Sequence, residues 1–99
     1  MNDQKALLLI IYDRAVEMDL MSRLEELNLD GYTQIRDAEG KGGQGLKKGD
    51  PIFPGLNNIL LIALEEADVP HLVAILRQLQ SEYVLKPGIT IFQLSAKIL

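Results

Sequence analysis

The stretch FPGLNNILLIAL, residues 53–64, decides the fold. Pro54-Gly55 ends a glycine-rich segment, two asparagines follow, and 59–64 is an unbroken apolar run. A short apolar run between turn residues and Glu65-Glu66 is typical of a β-strand that is buried on both faces. We therefore predict a central strand over about 56–64.

The composition limits the class of protein. The chain has 99 residues, 47% of them hydrophobic, which predicts one globular domain over 1–99. A net charge of −4 disfavours nucleic acid as a partner, and the absence of Cys excludes disulfides and thiolate chemistry. No apolar run approaches the ~20 residues that span a bilayer. No signal peptide is visible, so we expect a cytoplasmic protein without membrane insertion.

The region before the central strand predicts a strand, a helix and a second strand. Residues 5–12 are apolar at odd and even positions alike, which indicates a strand covered on both faces. An amphipathic helix should follow to about Leu29, with Asp13 as its N-cap and Gly31 in a left-handed turn. Its apolar residues recur every three or four positions, at Val16, Leu20, Leu24 and Leu27, and so lie on one face. Residues 32–36 alternate in polarity, as an edge strand does.

The region after the central strand repeats this pattern. We expect Asp68 to cap a second helix, with Pro70 in its first turn, and a last strand over 89–94. Shifting the chain by fifty-two residues superposes seven apolar positions, from Leu8 on Leu60 to Leu27 on Leu79. Two such halves predict an α+β, ferredoxin-like βαββαβ domain. Its four-stranded antiparallel sheet would carry two helices on one face, with the first and third strands central.

The second face of that sheet should be an interface. The two central strands are apolar on both faces, so one aliphatic face has no helix to cover it. Leaving this face in water loses the ~1.5–3 kcal/mol that burial of each large apolar side chain would contribute. We expect copies of the same chain to cover this face; the alternative is a monomer whose tails fold across the sheet.

We predict a long Gly/Lys-rich loop over about 37–55, and five of the eight glycines fall between Gly40 and Gly49. Loops of this length are usually functional or disordered. The run over 40–45 matches G-x-G-x-x-G, but a strand and not a helix follows it, which argues against a dinucleotide fingerprint. Two interpretations stay open: a flexible loop without a specific shape, or a loop that orders on an anion through backbone N–H groups and lysines.

The sequence offers few candidate catalytic or metal-binding residues. His71, the only histidine, is interpreted as a surface or boundary residue, since no motif spacing supplies it with metal-binding partners. Glu65 and Glu66 should point to opposite faces, which is poor geometry for an acid–base pair. The aliphatic sheet centre also lacks the aromatic residues with which RNA-binding sheets stack bases. We expect no catalytic residues and no metal site.

The chain resembles the PII signal-transduction superfamily, and more closely its short, divergent members, in its topology, its long loop and the Pro-Gly-x-Asn element at 54–57. Gly40-Lys41-Gly42-Gly43-Gln44 is similar to the family's G-x-G-R-Q stretch, and Lys86-Pro87-Gly88 stands where the family has Gly-Asp-Gly-Lys. The resemblance implies a homotrimer whose sheets face inward. It also implies nucleotide clefts between subunits, at the base of the long loop, and partner proteins bound by that loop.

The resemblance therefore implies a non-enzymatic regulator that binds a small anionic ligand or nucleotide and signals through 37–55. The cofactor is unknown. The ligand-binding candidates are Arg36, Lys41, Gly42, Gln44, Lys47, Lys86 and Gly88. The alternatives are a metal-binding trimer of related architecture, a small oligomeric ferredoxin-like enzyme, and a ligand-free interaction module.

Overall fold

The computed structural model describes residues 4–42, 45–49 and 55–99. The strands are β1 (Gln4–Asp13), β2 (Thr33–Ala38), β3 (Gly40–Gly42), β4 (Gly45–Lys47), β5 (Asn57–Leu64) and β6 (Ile89–Lys97). The helices are α1 (Glu17–Glu25) and α2 (Val69–Ser81), each preceded by a 3-10 turn, at Arg14–Val16 and at Glu66–Asp68. None of the helices in the described ranges is long and apolar enough to cross a membrane.

The main sheet has the order β2-β5-β1-β6 and is antiparallel throughout. Leu9 of β1 lies opposite Leu61 of β5 on one side and Phe92 of β6 on the other. The two strands predicted as central are therefore central, and the two predicted as edges are edges. The α+β, ferredoxin-like fold class is confirmed.

The core lies between one face of the sheet and the two helices. Alternate residues of β1 and β5, such as Leu8 and Leu60, are fully buried. They pack with helix positions that the repeat equates, Leu20 and Leu24 of α1 and Leu72, Leu76 and Leu79 of α2. Leu27, the counterpart of Leu79, is partly buried and packs against this core. Burial of equivalent residues from both halves explains why the apolar pattern repeats.

The helix ends differ from the sequence predictions. The helix α1 stops at Glu25, and Asn28, not Gly31, takes the left-handed conformation with φ of 55°. Asn tolerates this conformation better than most residues, so the chain can turn before it reaches the glycine. Asp13 does cap the first turn, since its carboxylate accepts from the Ala15 N–H at 2.8 Å. Asp68 does not cap α2, because its own backbone is helical (φ −89°, ψ −11°) at the end of the preceding 3-10 turn.

Part of the predicted 37–55 loop is a two-stranded ribbon. Strands β3 and β4 pair with Lys41 opposite Leu46 and Gly42 opposite Gly45. At its base the Gly49 N–H donates to the Gly55 carbonyl at 3.3 Å, with Gly49 in the left-handed region at φ of 71°. Residues 43–44 and 50–54 lie outside the described residues. The described part of this segment thus has a specific backbone shape.

The face of the sheet that points away from the helices is apolar and open. Leu9 and Leu61 at its centre are only partly buried, and Ile35, Phe92 and Leu94 remain 48%, 50% and 50% exposed. This is the second aliphatic face that the sequence predicts. Nothing in the described part of the chain covers it.

Candidate functional site

A cleft of about 770 Å³ lies where the β3–β4 ribbon leaves the sheet, and we call it the ribbon cleft. One wall is the ribbon and the opposite wall is the 86–88 segment before β6. The helix α2 contributes Arg77 and Gln80 to the lining, and the sheet contributes an apolar floor of Ile11, Ile59 and Phe92. Two segments far apart in sequence therefore face one another across one site.

The structure brings together five of the seven predicted ligand-binding residues. Lys41, Gly42, Lys47, Lys86 and Gly88 all line the ribbon cleft. Arg36 does not line it; its exposed side chain donates from Nε to Gln34 Oε1 at 3.2 Å. Gln44 lies outside the described residues. Ligand binding by these residues stays a prediction.

Asp13 connects the two walls of the cleft. Its N–H donates to the Gly88 carbonyl at 3.0 Å, and its carboxylate accepts from Lys47 Nζ at 2.9 Å. Lys47 also donates to Asn57 Oδ1 at 2.9 Å. Burial acts to raise the pKa of Asp13, but the Ala15 N–H and Lys47 outweigh it and hold that pKa below its usual value. Asp13 is therefore ionised at neutral pH and fixes Lys47 beside the 86–88 segment.

Arg77 and Gln80 of α2 donate hydrogen bonds to the backbone of the second wall. Gln80 is only 4% exposed, and its Nε2 donates to the Pro87 carbonyl at 2.7 Å. Its Oε1 accepts from Arg77 Nη1 at 2.6 Å, and the same Nη1 donates to the Ile89 carbonyl at 2.9 Å. Sequence reasoning missed both residues. Their i, i+3 spacing on a helix could be read from the sequence. The sequence did not show that the segment around Pro87 would lie against that turn of the helix.

A buried polar cluster lies beside β2, the strand from which the chain enters the ribbon. Glu17 accepts from the Tyr12 hydroxyl at 2.6 Å, from Asn58 Nδ2 at 2.8 Å and from the Gln34 amide. Asn58 in turn accepts from the Asp37 N–H at 2.9 Å. Burial, and then the hydrogen bond to Glu17, raises the pKa of Tyr12 well above its usual value. The cluster joins β1, α1, β2 and β5 at the point from which the ribbon starts.

Asp37 marks the direction change into the ribbon. Its backbone lies in the left-handed region at φ of 60°, and the pairing of β2 with β5 is irregular between Ile35 and Ala38. Its carboxylate pairs with Arg14 Nη1 at 3.0 Å. A non-glycine residue at positive φ needs local support, which Asn58 and Arg14 provide here.

The ribbon cleft is locally positive although the chain is acidic overall. Its lining has four basic side chains, Lys41, Lys47, Arg77 and Lys86, against one acid, Glu39. Glycines on both walls leave backbone groups accessible to a ligand. Charge and small residues together suit an anion, and the apolar floor suits a flat or aliphatic group beside it.

A second cleft, of about 720 Å³, lies at the opposite ends of the strands. Its polar lining includes Lys5, Tyr32, Glu65, Asp68 and His71. His71 is exposed on α2. In the described ranges no three His, Asp or Glu side chains are placed to hold a metal ion.

No family model matches the sequence, and no curated protein matches it. The solved structures do give matches. CPII from Thiomonas intermedia K12, a nitrogen regulatory PII-like protein bound to ADP, AMP and bicarbonate, superposes with a TM-score of 0.70 at 17% identity, over 94% of each chain. Its apo form superposes with a TM-score of 0.67 at 16% identity, over 97% of this chain and 95% of that one.

A functionally unknown protein from Pediococcus pentosaceus ATCC 25745 superposes with a TM-score of 0.68 at 18% identity, over 98% of this chain and 96% of that one. These likenesses extend over nearly the whole chain, and at such identities they establish the fold. The resemblance predicted from the sequence is confirmed at that level: the chain has the fold of PII-like proteins.

Proposed function

We propose that this chain is a PII-like regulatory protein, not an enzyme, which binds a small anionic ligand or nucleotide in the ribbon cleft. One observation carries the proposal: the ribbon and the 86–88 segment bring five predicted binding residues to one locally positive cleft. The fold adds support, since the PII-like protein CPII is bound to ADP, AMP and bicarbonate in its structure.

We further propose that the protein works in the cytoplasm as a homotrimer with the ligand between subunits. The open sheet face supports an assembly, because Phe92 and Leu94 are half exposed beside the aliphatic centre. Covering that face would recover part of the ~1.5–3 kcal/mol that each large apolar side chain gains on full burial. The ribbon cleft borders the same face through Ile11, Ile59 and Phe92. A neighbouring subunit on the face would therefore close the cleft.

The contacts that hold the ribbon support the proposal that the protein signals through 37–55. Lys47 is tied to Asp13 and Asn57, and the chain enters the ribbon through the Asp37 bond to Asn58. An anion that competes for Lys47 changes these ties and therefore the position of the ribbon. A protein partner that contacts the ribbon then distinguishes the two states.

A non-enzymatic role is supported by the cleft's chemistry. The side chains that line it include no His, Cys or Ser, and its one acid, Glu39, has no base or nucleophile paired with it among the described residues. No observation favours the enzyme or the metal-binding trimer over the regulator.

The test is calorimetric titration of the protein with ADP, AMP and bicarbonate. Wild type should bind at least one of them, and Lys41→Gln combined with Lys86→Gln should weaken that binding at least tenfold. Lys97→Gln, an exposed lysine at the far end of β6, should leave it unchanged. Lack of binding to all three ligands, or equal loss in the Lys97 control, would contradict the proposal.

A further inference from the structure

We infer that Arg77 is the group that binds the ligand's anion in the ribbon cleft. It would select a phosphate or carboxylate that presents two oxygens side by side. The inference rests on the proposed function and adds a residue that the sequence did not suggest. Arg77 lies on α2, outside the long loop and the 86–88 segment from which the other basic residues come.

The first reason is the orientation of the guanidinium. Arg77 uses Nη1 alone, which donates to Gln80 Oε1 at 2.6 Å and to the Ile89 carbonyl at 2.9 Å. In the described part of the chain no acceptor takes the N–H groups of Nε and Nη2. These two nitrogens form one edge of the planar group, and that edge suits a bidentate carboxylate or phosphate. Two fixed bonds on one side thus leave the edge on the other side available.

The second reason is charge. Arg14 and Arg23 are paired with carboxylates, of Asp37 and of Asp19 and Glu82, and Lys47 is paired with Asp13. The two acceptors that Arg77 has among the described residues are neutral, an amide and a carbonyl. Of the described arginines only Arg36 is also without a carboxylate partner, and it lies outside the cleft. Arg77 therefore brings an uncompensated positive charge to the site.

The third reason is the 86–88 segment itself. Pro87 has no N–H, so this segment has fewer backbone donors for an anion than a glycine-rich loop of the same length. Gln80, 4% exposed, holds the Pro87 carbonyl and Arg77 with the two ends of one amide. A buried side chain therefore fixes the distance between this wall and the guanidinium. The arginine supplies the donors that the proline removes.

The experiment compares wild type with Arg77→Lys by calorimetric titration with ADP and with adenosine, at one fixed salt concentration. Lysine keeps the charge but loses the planar edge. We expect ADP affinity to fall at least tenfold and adenosine affinity to change less than twofold. Arg23→Lys is the matched control: it makes the same change in a paired arginine that does not line the cleft, and it should leave both affinities unchanged.

A merely structural role for Arg77 would give a different result. Loss of packing would lower ADP and adenosine affinities in parallel and lower the melting temperature without ligand. That outcome overturns the inference, as does ADP affinity within threefold of wild type in Arg77→Lys. If wild type binds neither ADP, AMP nor bicarbonate, the proposed function fails first and the assignment of Arg77 fails with it.

Discussion

Replacing Asn58 with leucine should destabilise the protein strongly, because its amide is 1% exposed and completes a buried polar cluster. The variant removes the Nδ2–H bond to the Glu17 carboxylate at 2.8 Å and the bond from the Asp37 N–H at 2.9 Å. A hydrogen bond to a charged group is worth ~1.5–3 kcal/mol, and an orphaned buried group adds to the loss. We expect the free energy of unfolding to fall by about 3 kcal/mol.

The assay is urea unfolding at pH 7 with the subunit concentration held constant, because association contributes to apparent stability. For a domain of this size the same loss lowers the melting temperature by about 10 °C or more. Asn57→Leu is the matched control, since it removes one bond from Lys47 that Asp13 still holds. That variant should lose less than about 1 kcal/mol.

A double-mutant cycle with Glu17→Met separates the cluster from general packing damage. Residues that share a hydrogen bond couple by ~0.5–3 kcal/mol, so the double variant should lose less than the sum of the single losses. Additive losses, or an Asn58→Leu cost no greater than that of Asn57→Leu, would refute the account of how the ribbon is anchored.

Three further predictions follow from charge and burial. The pKa of Asp13 is lowered in the folded state, so its contribution to stability is present above about pH 4 and lost as pH falls. The difference in unfolding free energy between wild type and Asp13→Asn should therefore shrink from pH 7 to pH 3, and a constant difference would contradict this. Burial raises the pKa of Tyr12, so its contribution to stability is present below about pH 10 and lost at higher pH. Because Tyr12 should stay protonated in the folded protein, wild type and Tyr12→Phe should give the same tyrosinate absorbance up to about pH 11. If the variant instead loses one tyrosine that titrates near pH 10, the burial argument is contradicted. Leu9→Lys places a charge at the centre of the open sheet face. It should dissociate the assembly, and the circular dichroism spectrum should stay that of the folded protein. If light scattering shows an assembly of unchanged mass, the proposed interface is contradicted.

The sequence predicted the fold well because burial produces simple periodic patterns. Of the strand and helix positions that the internal repeat equates, Leu8 with Leu60 and Leu20 with Leu72 became core. Leu9 and Leu61, another such pair, lie on the open face instead. The ends of the helices were predicted less well, because Asn28 and Gly31 both suit a left-handed turn and only packing decides between them. The open aliphatic face followed from central strands that are apolar at odd and even positions alike, in a fold with helices on one face only.

The site was predicted in part, for a physical reason. Lys41, Lys47 and Lys86 lie in segments whose composition marks them, a Gly/Lys-rich loop and a Lys-Pro-Gly turn. Arg77 and Gln80 lie inside an ordinary helix, where a basic and an amide residue usually face solvent. Their role depends on the chain folding back to place the Pro87 carbonyl beside Gln80, and periodicity within one helix carries no information about that contact.

Native mass spectrometry of the purified protein, with and without ADP, tests the central claim most directly. The proposed function predicts an assembly of three 11.0 kDa subunits that gains the mass of up to three ADP molecules, one for each cleft between subunits. A monomer that gains no ADP would contradict both the buried sheet face and the ligand-binding cleft.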